Sequence, residues 1–106
     1  MTRLTEQEFR IKSDEAIEQT RRTLMPLADQ RDFEIELDNG VLNLVFEEPA
    51  QAKFVVSPNA PMRQMWVSAM SRGYKLPWSA DATAFALGGE TLDEMLLRLV
   101  REYVNV

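Results

Sequence analysis

The sequence predicts a two-layer α+β sandwich, in which N- and C-terminal helices pack on one face of a five- or six-stranded antiparallel sheet. Two observations lead to this fold class. Apolar residues recur at helical spacing near both ends of the chain, and they alternate with polar residues in the segments between. Two such helices can cover one sheet face, so the other face should meet solvent. With 106 residues, the chain should form one domain, residues 1–106.

The first helix should begin at Thr5, because Thr5 and Glu8 have the spacing of a capping box. Its buried stripe is predicted to comprise Phe9, Ala16, Ile17, Thr20 and Leu24. Proline has no backbone N–H and its ring clashes with the preceding turn, so Pro26 should end the helix.

A period of two replaces the helical period over residues 32–46. Phe33, Ile35 and Leu37 should face the core from the first strand of this segment. Asn39-Gly40 predicts the hairpin that follows, because both residues tolerate the positive φ angles of a type I′ turn. After the return strand, further strands are predicted over residues 53–56, 62–67, 74–76 and 83–87, with a glycine-tipped loop at residues 70–73.

The last helix should begin at Thr91, where Thr91 and Glu94 repeat the capping-box spacing. Its apolar stripe is predicted to comprise Leu92, Met95, Leu96, Leu99, Val100 and Tyr103. Only three residues follow Tyr103. The groove between the helix ends should therefore be less well filled, and we expect modest stability.

The composition excludes several classes of chemistry. The chain has no cysteine and no histidine, which rules out disulfides, thiol nucleophiles, imidazole bases and the common zinc sites. The formal net charge of −5 argues against nucleic acid as a partner and favours basic proteins or cations. No apolar run approaches the roughly 20 residues that span a bilayer, and the first residues carry no secretion signal. We therefore expect a bacterial cytoplasmic protein or a mature organellar form.

The segment over residues 58–78 holds both tryptophans and no acidic residue. Within it, Met65 and Val67 should point to one side of a strand, and Gln64 and Trp66 to the other. Alternation alone leaves open the opposite assignment, with Trp66 in the core and Met65 in solvent. Because Met65 and Val67 are needed beneath the helices, the predicted architecture places Gln64 and Trp66 on the exposed sheet face.

The pattern Pro61-x-x-Gln64-x-Trp66, followed by Gly73-Tyr74 and by Gly89-Glu90 before the last helix, closely resembles the frataxin family. The resemblance extends from Phe9 through residues 39–42 to the last helix. It implies the same sandwich fold and a non-enzymatic role in iron–sulfur cluster assembly. It also implies a cysteine desulfurase and an iron–sulfur scaffold protein as partners.

In frataxins, the matching glutamine and tryptophan contact the iron–sulfur assembly machinery. The candidate partner-binding residues of this chain are therefore Asn59, Arg63, Gln64, Trp66 and Arg72. Arg63 and Arg72, together with Lys75, are close in sequence and could add a basic rim to this surface.

Frataxins also carry an acidic ridge on the first helix and the first strand, which binds iron weakly and faces basic residues of the desulfurase. The acidic residues at matching positions are Asp14, Glu18, Asp32 and Glu34, the candidate iron ligands. Arg21 and Arg22 stand where the family usually has acids. Their positive charge should weaken the binding of Fe²⁺ or Fe³⁺.

Three functions from different classes follow. The favoured one is a monomeric accessory protein of iron–sulfur cluster assembly, with weak iron binding. The second is a protein-interaction module of another pathway that docks through the Trp66 side of the sheet. An enzyme with paired carboxylates is the least supported, because a general acid needs a carboxyl group in an apolar cleft, and the acids of this chain lie on solvated faces.

Overall fold

The computed structural model describes residues 4–104. These residues form the helices α1 (Glu6–Arg31) and α2 (Leu92–Val104) and the strands β1 (Glu34–Asp38), β2 (Val41–Phe46), β3 (Ala52–Asn59), β4 (Gln64–Ala69), β5 (Arg72–Ser79), β6 (Ala84–Leu87) and β7 (Glu90–Thr91). The expectations about both chain ends concern residues 1–3, 105 and 106, which lie outside the described residues. No helix in the described range is long and apolar enough to cross a membrane.

The strands form one antiparallel sheet in the order β1 to β7. A single hydrophobic core joins residues of both helices to alternate residues of the strands. Along β2, for example, Leu42, Leu44 and Phe46 are buried, whereas the residues between them are half-exposed. The two-layer α+β sandwich is thus confirmed, with seven strands instead of five or six. The additional strand, β7, has two residues, too few to show a period of two in the sequence.

Helix α1 does not end at Pro26 but continues to Arg31, so that prediction is wrong. Leu24 and Leu27 are 0% and 9% exposed and extend the buried stripe past the proline. The burial of these side chains offsets the backbone hydrogen bond that Pro26 cannot make. Asp32, with a left-handed φ of 62°, caps the C-terminal end of the helix.

Both predicted capping boxes are present. The Glu8 N–H donates to the Thr5 hydroxyl while the Thr5 N–H donates to the Glu8 carboxylate. Thr91 and Glu94 exchange the same pair of bonds at the start of α2. These local signals therefore located the start of each helix correctly.

The first predicted strand is correct in part. Phe33 is buried but precedes β1, and Ile35 packs against the core. Leu37 is 48% exposed, contrary to expectation. The reason is its position on β1, an edge strand of the sheet that pairs on one side with β2.

Two of the three tight hairpins in the described chain have the same backbone geometry but different residues. Asn39 and Gly40 have φ angles of 52° and 78°, which confirms the predicted type I′ turn between β1 and β2. The β4–β5 turn is formed by Met70 and Ser71, with φ angles of 52° and 65°. The predicted glycine-tipped loop is wrong here, because Gly73 already lies within β5.

A partly exposed polar cluster connects the two helices. The Asp93 carboxylate at the start of α2 accepts hydrogen bonds from the hydroxyls of Thr20 at 2.5 Å and Thr23 at 3.0 Å. The Gln19 amide donates to the same carboxylate at 3.3 Å. Thr20 is fully buried. A buried hydrogen-bonding group that loses its partner costs more free energy than an exposed one. The bond between the buried Thr20 hydroxyl and Asp93 therefore helps to fix how α1 lies against α2.

Pro26→Ala should stabilise the protein by about 1–3 kcal/mol, because alanine restores a backbone N–H to the helix interior and removes the clash of the proline ring. Urea unfolding followed by circular dichroism measures the difference. A variant no more stable than the original chain would contradict this account of α1.

Thr20→Val should destabilise the protein by about 1–2 kcal/mol, since it removes a buried bond between the helices and keeps the side-chain volume. Ser13→Ala is the matched control. The Ser13 hydroxyl is also buried but donates to the Arg10 carbonyl of its own helix. Equal losses in the two variants would show that the contact between the helices is not what matters.

Candidate functional site

Strand β4 sends its residues alternately to the two faces of the sheet. Met65 and Val67 are 0% and 1% exposed beneath the helices. Gln64 and Trp66 are half-buried on the opposite face, which neither α1 nor α2 covers. The alternation that the sequence left open is therefore resolved with Met65 in the core and Trp66 on the open face.

Two neighbours hold the Trp66 ring in place. The indole N–H donates to the Gln64 side-chain oxygen at 3.0 Å. Lys75 pairs with Trp66 across β4 and β5, and its ammonium nitrogen lies 5.1 Å from the centre of the indole ring. Such cation–π contacts contribute about 0.5–1 kcal/mol at exposed sites. Trp66 is thus an oriented aromatic side chain on an uncovered surface.

Asn59 lies on the same face, because it pairs directly with Gln64 across β3 and β4. Its side-chain oxygen accepts the Met62 N–H at 2.9 Å and so fixes the turn before β4. We refer to Asn59, Gln64, Trp66 and Lys75 as the Trp66 surface. These four residues come from three neighbouring strands.

The two arginines predicted for the rim lie elsewhere. The Arg63 guanidinium donates to the backbone carbonyls of Leu4 and Ala60, so it fixes the chain near the start of α1. Arg72 pairs with Ala69, whose side chain is buried on the helix side of the sheet. Of the three predicted cations, the structure places only Lys75 beside Trp66.

Glu18, one of the four predicted iron ligands, is already paired with cations. Arg21 donates to its carboxylate at 2.7 and 3.1 Å, and Arg22 donates at 3.0 Å. The hydrogen bond from Arg21, with a smaller contribution from Arg22, holds the pKa of Glu18 below its usual value. Glu18 is thus ionised, and the two arginines largely compensate its negative charge.

The four predicted iron ligands do not form one group, although Asp14 and Glu18 line the same surface depression on α1. Because α1 is continuous to Arg31, Asp14 lies about 25 Å from that end at 1.5 Å per residue. Asp14 lines a surface depression with Asn39 and Gly40, at the far end of β1 from Glu34. No group of three or more acidic side chains that could hold a metal ion occurs among residues 4–104. The expected ridge is therefore divided into separate parts.

The acidic residues of β1 form a coherent charged edge. Glu34, Glu36 and Asp38 are all exposed and alternate along the strand, so they share one side of it. Their partners on β2 are the half-exposed residues Val45, Asn43 and Val41, so this side is the open face. The open face thus carries negative charge at its β1 edge and a lysine beside Trp66.

The chain is similar to known proteins over nearly its whole length. Residues 2–106 match the sequence model of the frataxin-like domain. An iron–sulfur cluster assembly protein CyaY from Pseudomonas fluorescens Pf-5 is 31% identical, over 97% of this chain and 92% of the relative. The protein of the same name from strain SBW25 is 33% identical, over 96% and 91%. The one from Ralstonia nicotianae is 30% identical, over 100% and 94%. The chain belongs to the frataxin-like domain family.

Proposed function

We propose that this chain is an accessory protein of iron–sulfur cluster assembly that binds other proteins and is not itself an enzyme. The observation that carries the proposal is the uncovered, oriented Trp66 on the open sheet face. Its family membership and the relatives named iron–sulfur cluster assembly protein support the choice of pathway.

Trp66 is the proposed anchor of the docking surface. Tryptophan is enriched among the residues that dominate interface energies. Its ring is already held by Gln64 and Lys75, so little side-chain freedom is lost on binding. Gln64 uses its oxygen for the indole, and its NH₂ group is a donor for a partner.

The acidic edge is the proposed steering element. Glu34, Glu36 and Asp38 carry like charges along one strand, and such a field raises the rate of encounter with a basic partner at low salt. We assign this edge to a basic surface of a cysteine desulfurase, and the Trp66 surface to the desulfurase and its scaffold protein.

Iron enters this proposal as cargo of the assembly machinery. Asp32 and Glu34 are exposed carboxylates near the C-terminal end of α1. Hard cations need several oxygen ligands, and two separate carboxylates supply few of them. We therefore propose weak, rapidly exchanging contact of iron with Asp32 and Glu34, without a part for Glu18.

Trp66→Ala should weaken binding to a bacterial cysteine desulfurase–scaffold complex by about 2 kcal/mol or more, because it removes the central anchor. Calorimetric titration with the purified complex measures the change. The matched control is Ile11→Ala, which removes a 51% exposed apolar side chain from α1 and should leave binding unchanged.

Two results would contradict the proposal. If the original chain does not bind the desulfurase–scaffold complex, the pathway is wrong, and the Trp66 surface serves another partner. If binding occurs but both variants bind like the original chain, the docking surface is wrong.

Titration with Fe²⁺ under anaerobic conditions should broaden NMR signals around Asp32 and Glu34 and leave those around Glu18 sharp, since arginines occupy that carboxylate. Arg21→Glu combined with Arg22→Glu should extend the broadening to Glu18, because it frees one carboxylate and adds two beside it. Arg10→Glu combined with Arg101→Glu changes the net charge equally and should not do so. Broadening around Glu18 in the original chain would contradict the account.

A further inference from the structure

A cavity lies on the helix side of the sheet, away from the Trp66 surface. It is a cavity of about 360 Å³ between α1, the loop from β5 to β6 and the start of α2. Trp78 and Phe85 form an aromatic wall, with ring centres 5.2 Å apart in an edge-to-face arrangement. The charged residues that line the cavity are Lys12, Glu15 and Asp93.

The cavity already holds an organic cation, namely the ammonium group of Lys12. The Lys12 nitrogen lies 5.4 Å from the centre of the Trp78 ring and 3.9 Å from the Glu15 carboxylate. An aromatic face with a nearby carboxylate is a common protein environment for ammonium and guanidinium groups. Lys12 comes from the chain itself and is 40% exposed, so it can leave without disturbing the core.

When Lys12 leaves, the charges that remain in the lining are both negative. Glu15 is 67% exposed and can turn toward a new cation. Asp93 accepts three hydrogen bonds from α1, while a carboxylate has about four acceptor sites. The vacated cavity thus offers one aromatic wall, two carboxylates and no competing cation among its lining residues.

The loop that closes the cavity leaves room for a side chain. Its lining residues Ala82 and Thr83, and Ala84 at the start of β6, are small. The loop is also held in shape, because the Ala82 N–H donates to the Ser79 hydroxyl at 3.2 Å and the Thr83 hydroxyl donates to the Ala80 carbonyl at 3.4 Å. A planar group can therefore enter beside Trp78 without a large rearrangement of the loop.

We propose that this cavity binds an arginine side chain of a partner protein, and that Lys12 occupies the site until the arginine displaces it. Guanidinium fits better than ammonium, because it is planar, stacks on an aromatic face and can bind a carboxylate through two N–H groups. The net charge of −5 also favours a basic partner. The inference does not depend on the role proposed for Trp66, which lies on the other face of the sheet.

The test uses a Trp66→Phe background, in which Trp78 is the sole tryptophan. The probe is a blocked five-residue peptide with one arginine between alanines. The same peptide with citrulline, which has the shape of arginine but no charge, is the control. The arginine peptide should change Trp78 fluorescence saturably and shift the NMR signals of Ala82, Thr83 and Ala84, and the citrulline peptide should do neither.

Three variants sharpen the test. Lys12→Met removes the internal cation, keeps a similar stem and should strengthen peptide binding about fivefold. Glu15→Gln should weaken it by a similar factor. Lys53→Met, which removes an exposed lysine of β3 outside the cavity, should have no effect.

Four results would overturn the proposal. The first is equal binding of the citrulline peptide, and the second is unchanged or weaker binding by Lys12→Met. The third is a set of NMR shifts confined to the Trp66 surface. The fourth is tighter binding of Nα-acetylarginine than of the peptide, since its free carboxylate would lie near Glu15 and Asp93 and should weaken it.

Discussion

The burial of Met65 and Val67 beneath two helices is the constraint on which the open face depends. Both are almost completely buried, and side chains along a strand alternate between faces. Trp66 between them must therefore point away from the helices. A shift of one residue in the pairing of β4 would expose the two core residues and bury the indole. The same requirement that builds the core thus places an aromatic side chain in solvent.

Local chemistry predicted much of the fold from sequence, and long-range packing decided the rest. The capping boxes and the Asn39-Gly40 turn were correct because each depends on a few adjacent residues. The prediction that Pro26 ends α1 was wrong because the burial of Leu27 favours a longer helix. The turn at Met70-Ser71 had no sequence signal, since neither residue is typical of positive φ.

The turn at Met70-Ser71 also explains the error at the candidate site. It sets the register of β5 against β4, and this register places Lys75 beside Trp66 and Arg72 on the helix side. Nearness in sequence could not distinguish the two cations. The iron ligands show a similar limit: the continuous helix from Asp14 to Arg31 separates Asp14 from Glu34, and spacing along the chain did not reveal it.

The division of β4 between core and open face is tested most directly by the free energies of unfolding of Met65→Ala and Trp66→Ala in urea. Met65→Ala should cost about 2–5 kcal/mol, as expected for a core truncation. Trp66→Ala should cost about 1 kcal/mol or less, the scale of cross-strand contacts on a sheet surface. If Trp66→Ala costs as much as Met65→Ala or more, the indole belongs to the core and the proposed docking surface does not exist.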